Sequence, residues 1–92
     1  MAKATKTLKK ETFRLLASDA QSVLLVGDFT EWQKRAIRMK SDGNGLWTAT
    51  VDLAPGKHSY LFIIDGEWCE DPECTARVAN PFGGQNMVRQ VL

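Results

Sequence analysis

The chain has 92 residues, 43% of them hydrophobic and 25% charged, with a formal net charge of +1. That length makes a single domain with a modest core and leaves little room for a deep cleft between lobes. The near-neutral balance lacks the basic excess of a nucleic-acid or anionic-membrane surface, and no run approaches the roughly 18–20 apolar residues of a membrane span.

Positive charge gathers in "MAKATKTLKK", which reads as a flexible basic arm over residues 1–11, ahead of a single module over 12–92. No apolar segment follows these lysines as it would in a secretory signal. Together with the sparse cysteines, Cys69 and Cys74 in "WCEDPEC", this leads us to expect reduced thiols and a cytoplasmic protein. From there period-2 alternation and turn signals replace any helical period. "TFRLLA" (12–17) reads as a strand, and "QSVLLVG" (21–27) as a largely buried one. Gly27 and Asp28 break it, and a polar loop follows with Trp32 between Glu31 and Gln33. Trp32 either folds back as a lid on the core or waits on the surface for a ligand. "AIRMK" (36–40) is a short edge strand, and "SDGNG" (41–45) a turn of residues that tolerate positive φ.

"LWTATVDL" (46–53) alternates cleanly, with Trp47, Ala49, Val51 and Leu53 on the core face. "KHSYLFII" (57–64) follows the "APG" turn and puts His58, Tyr60, Phe62 and Ile64 on one face. Leu61 and Ile63 then point outward and ask for a cover: a loop, a ligand or a partner. Asp65-Gly66 is a two-residue hairpin signal, with Glu67 to Cys69 pairing back. "EDPE" breaks the ladder, and after the loop "NPFGGQ" a last strand runs over "NMVRQVL" (86–92). The expected architecture is an all-β sandwich of about seven strands.

The residues for catalysis are missing. The lone His58 has no Ser or Cys at a sharp elbow. No glycine-rich loop opens a helix to cradle phosphate, and the cysteines with one distant histidine do not match zinc spacing. Glu67, Glu70, Asp71 and Glu73 sit in a Pro-broken turn and read as a solvated loop. His58 reads as a satisfied, half-buried side chain. We therefore expect no enzyme, no metal and no cofactor.

The segments "VLLVGDFTEW", "LWTATVDLAPGKHSYLFIIDGEW" and "NPFGGQNMVRQV" resemble carbohydrate-binding module family 48, which includes the glycogen-binding domain of the AMP-activated protein kinase β subunit and the N-terminal domains of glycogen-branching and debranching enzymes. The resemblance runs from about Ser22 to Val91. It implies an immunoglobulin-like (early-set) β-sandwich that binds α-1,4-linked glucans: glycogen, starch and maltooligosaccharides. It also implies roles for single residues. Trp32 and Trp68 match the indoles that form the glucose platform, and Asn86 matches an asparagine that hydrogen-bonds sugar hydroxyls. Phe82 matches an apolar loop residue that projects through the curved glucan. Gly84 stands where some members carry a hydroxyl, and Lys34 matches a nearby basic position. Leu61 departs from the pattern, because binding members have a lysine there.

Each of these residues also has a plainer reading. Trp68 can plug the hairpin, Phe82 can be a core lid, Asn86 can satisfy its own turn, and Lys34 can be a solvated charge. The expected function is non-catalytic α-glucan binding, beside a glycogen-metabolism enzyme or as an accessory module of a family 13 glycoside hydrolase. The alternative is a protein-interaction or self-association domain, in which an apolar patch around Leu61 and Ile63 meets another chain or a second copy.

Overall fold

The computed structural model describes residues 8–81 and 83–92. Strands β1 (Lys9–Leu16), β2 (Val23–Gly27), β3 (Ile37–Arg38), β4 (Lys40–Ser41), β5 (Leu46–Leu53), β6 (Gly56–Ile64), β7 (Glu67–Cys69), β8 (Arg77–Ala79) and β9 (Gln85–Val91) follow in chain order. Two antiparallel sheets result. One has the order β1-β5-β4, and the other β3-β2-β6-β9-β8, with β7 also paired to β6. The all-β sandwich expected from alternation is the observed fold. The strand expected over 12–17 begins earlier, at Lys9, because Lys9 to Glu11 pair with Leu53 to Val51.

The stretch expected as one edge strand, 36–40, serves both sheets. Ile37 and Arg38 pair with β2, whereas Lys40 and Ser41 pair with β5. The chain crosses between the layers at Met39, whose side chain is buried and whose amide donates to the Val23 carbonyl at 2.9 Å. Strand β8 was not foreseen. It is a short, exposed ribbon whose strand partner among the described residues is β9, with Arg77 also bonded to Glu70 and the Cys74 carbonyl.

The layers meet over Phe13 and Leu15 of β1, Leu53 of β5, Val23 and Leu25 of β2, Tyr60 and Phe62 of β6, and Met87 and Val91 of β9, all buried. Burying each large apolar side chain contributes about 1.5–3 kcal/mol. Phe13 meets Tyr60 edge-on at 4.8 Å between ring centroids, and Arg89 lays its guanidinium 4.1 Å from the Phe13 ring centre while pairing with Glu11 at 2.9 Å. Trp47 is half-buried against this core, and its indole N–H donates to the Ala17 carbonyl at 3.1 Å.

Strand β6 organises the larger sheet. Along one edge it pairs with β2 from Tyr60 to Ile64. Along the other it pairs with β9 from Gly56 to Tyr60, then with β7 from Phe62 to Ile64. Leu61 therefore lies at a fork, where β9 and β7 part and the segment between them leaves the sheet. The Asp65-Gly66 turn closes β6 onto β7 with φ of 49° and 90°, the paired positive values a two-residue type I′ turn needs. Asp65 also accepts from the backbone amides of Gln21 and Ser22 at 2.9 and 2.8 Å, which docks the hairpin tip to the start of β2.

Leu61 and Ile63 ask for a cover, and of loop, ligand or partner it is the chain itself that supplies one: they are only 7% and 4% exposed, which corrects the alternative of an apolar patch open to another chain. The chain covers its own outer sheet face: the loop after β2 brings Trp32 against the core cluster, and Trp68 of β7 stands opposite Ile63. The carboxylate cluster was read as wholly solvated. Glu67, Glu70 and Glu73 are exposed, but Asp71 is 7% exposed. It accepts from the Tyr60 hydroxyl at 2.7 Å and from the Glu73 amide at 2.9 Å. Burial and the Asp71 carboxylate push the Tyr60 phenol far above its ordinary range.

Candidate functional site

The loop that presents Trp32 is built on a close approach. A Cβ at Gly27 would lie 2.4 Å from the Ser59 carbonyl oxygen and 2.7 Å from the Phe29 ring, so only glycine fits. The chain then turns through a short 3-10 segment, Asp28–Thr30. Thr30, 2% exposed, staples this turn. Its hydroxyl accepts from the Gly27 amide at 2.9 Å and shares its one proton between the carbonyls of Gly27 and Trp32, at 3.0 and 2.8 Å. Asp28 accepts from the Ser59 amide at 3.0 Å and so ties the turn to β6.

Glu31 and Trp32 then take φ of 52° and 58°. Left-handed backbone costs a non-glycine residue on the order of 1–3 kcal/mol and persists only where its surroundings enforce it. The result is a half-buried Trp32 with one side on the core cluster and the other on an open concavity. The question of lid or surface indole resolves as both.

That concavity has a volume of about 850 Å³ and opens over the fork in β6. Leu61 lines it from the sheet, and Trp32 and Trp68 are in its wall together with Gly84 and Asn86. Trp68 is 48% exposed. Extending the β6–β9 register by a single step sets Leu61 beside Asn86. Gly84 has room for a side chain: a Cβ there would sit 3.5 Å from the nearest atom, in ordinary van der Waals contact. Five of the seven residues singled out in the sequence thus share one surface. Lys34 does not line it and stands exposed in the second 3-10 turn, Trp32–Arg35. Phe82 lies outside the described residues.

Sequence reasoning missed Gln33, Cys69, Glu70, Asn80, Pro81 and Gln85, which complete the lining. The overlooked signal was in "NPFGG", an asparagine four residues ahead of a glycine. Asn80 closes that loop on itself: its amide donates to the Gly84 carbonyl at 3.0 Å, and its side-chain oxygen accepts from the Gly84 amide at 3.0 Å. Its side-chain NH2 donates to Asn86 Oδ1 at 3.1 Å.

His58 is half-buried away from this surface, and its Nε2 donates to the Ala54 carbonyl at 2.8 Å. Cys69 and Cys74 are free thiols. Among the described residues no group of three or more His, Cys, Asp or Glu could hold a metal ion, and no helix is long and apolar enough to cross a membrane. An open, largely apolar hollow walled by indoles and edged with amides suits a flat ligand that has an apolar face and a polar rim.

Comparison with known proteins points the same way. Residues 13–91 match the family described as the glycogen recognition site of AMP-activated protein kinase. The chain is 33% identical over 89 residues to the pig 5'-AMP-activated protein kinase subunit beta-1, covering 97% of this chain and 69% of that protein. It is 37% identical over 71 residues to the bovine subunit beta-1, covering 77% of this chain and 25% of the relative. It is also 40% identical over 55 residues to the chloroplastic PTST homolog 2 of Arabidopsis thaliana, covering 60% of this chain but a tenth of the plant protein. A β-sandwich whose match runs through nearly all of its strands belongs to the family of glycogen-recognition, carbohydrate-binding modules, type 48, a non-catalytic family.

Proposed function

We propose that the module binds α-1,4-glucans, in glycogen, starch or maltooligosaccharides, by stacking glucose rings on Trp32 and Trp68. The observation that carries this reading is the shared concavity lined by Trp32, Leu61, Trp68, Gly84 and Asn86. A pyranose offers an apolar C–H face and an equatorial rim of hydroxyls. An indole presents a large, electron-rich face with few rotatable bonds, so stacking costs little entropy. The Asn86 amide addresses the rim. Lys34, at the mouth of the same loop, would act only on the outlying part of a long chain, and Phe82 is a further candidate contact. The hollow is open to solvent, so a single site binds weakly, with Kd on the order of 10–1000 μM. Many chain ends on one particle raise the effective affinity. In the cell the module would hold a glucan-metabolising partner on its polymer.

The test is a titration with β-cyclodextrin followed by tryptophan fluorescence. A saturable change is expected, and Trp68→Ala should weaken binding at least about tenfold while the fold survives, since that side chain is half exposed. No response at millimolar ligand would overturn the reading.

A further inference from the structure

We infer that Asn80 is a positioning residue that locks the Asn86 amide with its oxygen away from the ligand, so that Asn86 meets the glucan as a hydrogen-bond donor; the inference rests on the glucan-binding reading of this surface.

A backbone N–H can only donate. The Gly84 amide reaches Asn80 Oδ1 at 3.0 Å, so the oxygen of the Asn80 side chain must face Gly84. Its NH2 group then lies on the opposite side, where it reaches Asn86 at 3.1 Å. The atom of Asn86 that meets an NH2 group has to be its oxygen. One donor of fixed identity thus propagates through two side chains whose own orientations would otherwise be interchangeable.

The backbone of Asn80 is held as well. Its backbone amide donates to the Gly84 carbonyl at 3.0 Å and its carbonyl accepts from Gly83 at 3.4 Å, which closes the loop around it. Asn86 Nδ2 has no protein partner among the described residues, and Asn86 lines the concavity. The neighbour across the strand is Leu61, which has no polar atom in its side chain. At the fork in β6 the site therefore offers a donor, and the matching ligand atom is an oxygen lone pair: a ring oxygen, a glycosidic oxygen, or a hydroxyl acting as acceptor.

Asn80→Asp separates this role from loop support. An aspartate still accepts from the Gly84 amide but cannot donate to Asn86 Oδ1. The Asn86 amide should then rotate, giving its NH2 to the new carboxylate and turning its oxygen toward the ligand. Calorimetric titration of β-cyclodextrin into the full chain, its N80D and N86A variants and the double variant reads the consequence. N80D should weaken binding about tenfold with an unchanged melting temperature, and should make no further difference once residue 86 is alanine. Unchanged affinity in N80D, or an equal loss in both backgrounds, would overturn the inference.

The side-chain NH2 resonances of Asn86 provide a readout that needs no ligand. They should move downfield in N80D as they come to donate to a carboxylate, and resonances that stay in place would refute the rotation. If the wild-type chain binds no β-cyclodextrin, the glucan reading fails, while these resonances still decide the amide orientation. If N80D does not fold, the wild-type spectrum decides: ligand should shift the Asn86 NH2 pair and leave the Asn80 pair in place. The reverse pattern, or no shift of either pair in a protein that binds, would refute it.

Discussion

Trp32 owes its position to residues that never touch the concavity. Gly27 permits the chain to approach β6, and Thr30 holds the following turn through one hydroxyl. Thr30→Val keeps the shape but leaves the buried Gly27 amide without its acceptor, at a cost of about 1–3 kcal/mol. Urea unfolding should show that loss. Glucan affinity should fall as well, because the left-handed backbone at Trp32 loses its restraint. An unchanged affinity would mean that the strain at Trp32 is held by packing alone. Gly27→Ala is expected to be worse for stability. The clash at 2.4 Å is with backbone oxygen, which cannot rotate away, and overpacking of this kind costs about 1–3 kcal/mol or more.

Strand β6 acts at the scale of an element. By pairing with β9 first and β7 afterwards along one edge, it opens the sheet at Leu61 and sets Asn86 beside that residue and Trp68 beside Ile63. The departure at Leu61 from the lysine that family resemblance implies falls at this fork. Leu61→Lys should bury its methylene stem and lift its ammonium into the concavity, as long cationic side chains do. Calorimetry should record glucan binding strengthened severalfold, and thermal unfolding a loss of about 1–2 kcal/mol from the lost apolar burial. Weaker or unchanged binding would mean that an apolar floor is itself part of the site. Leu61 and Ile63 are only 7% and 4% exposed, so they offer little apolar surface to a docking partner.

On the scale of the whole molecule, the hydrogen bond from Tyr60 to Asp71 ties the core of the larger sheet to the segment that leaves at the fork. The Tyr60 phenol is raised above its ordinary value by burial first, then by the Asp71 contact. A group whose pKa rises on folding stabilises the native state fully below its unfolded value, about 10 for tyrosine. That contribution is lost as pH climbs above it. The urea midpoint should therefore drop between about pH 10 and 11, and Tyr60→Phe should flatten this part of the drop. At neutral pH the same variant leaves a buried carboxylate short of a donor, which lowers stability by about 1–3 kcal/mol. An alkaline limb identical in both proteins would assign the drop to other groups.

Much of this was legible in the residues themselves. Alternation in "LWTATVDL", the Asp-Gly turn, and a glycine followed by a polar loop and a tryptophan are local signals, because pleat and turn geometry depend on near neighbours in the chain. They determine an all-β sandwich and bring forward Trp32, whereas Trp68 and Asn86 came forward only through the family resemblance, which the family match supports. Tertiary structure alone decided the rest. It split residues 36–40 between the sheets at Met39, buried Asp71 under Tyr60, and covered Leu61 and Ile63. It also joined Gly84 to Asn86 through the Asn80 side chain. The physical reason is the same in each case. Which sheet a strand joins, what covers an outer face, and which way an amide points depend on partners that the fold brings together from distant parts of the chain, and local pattern carries no record of them.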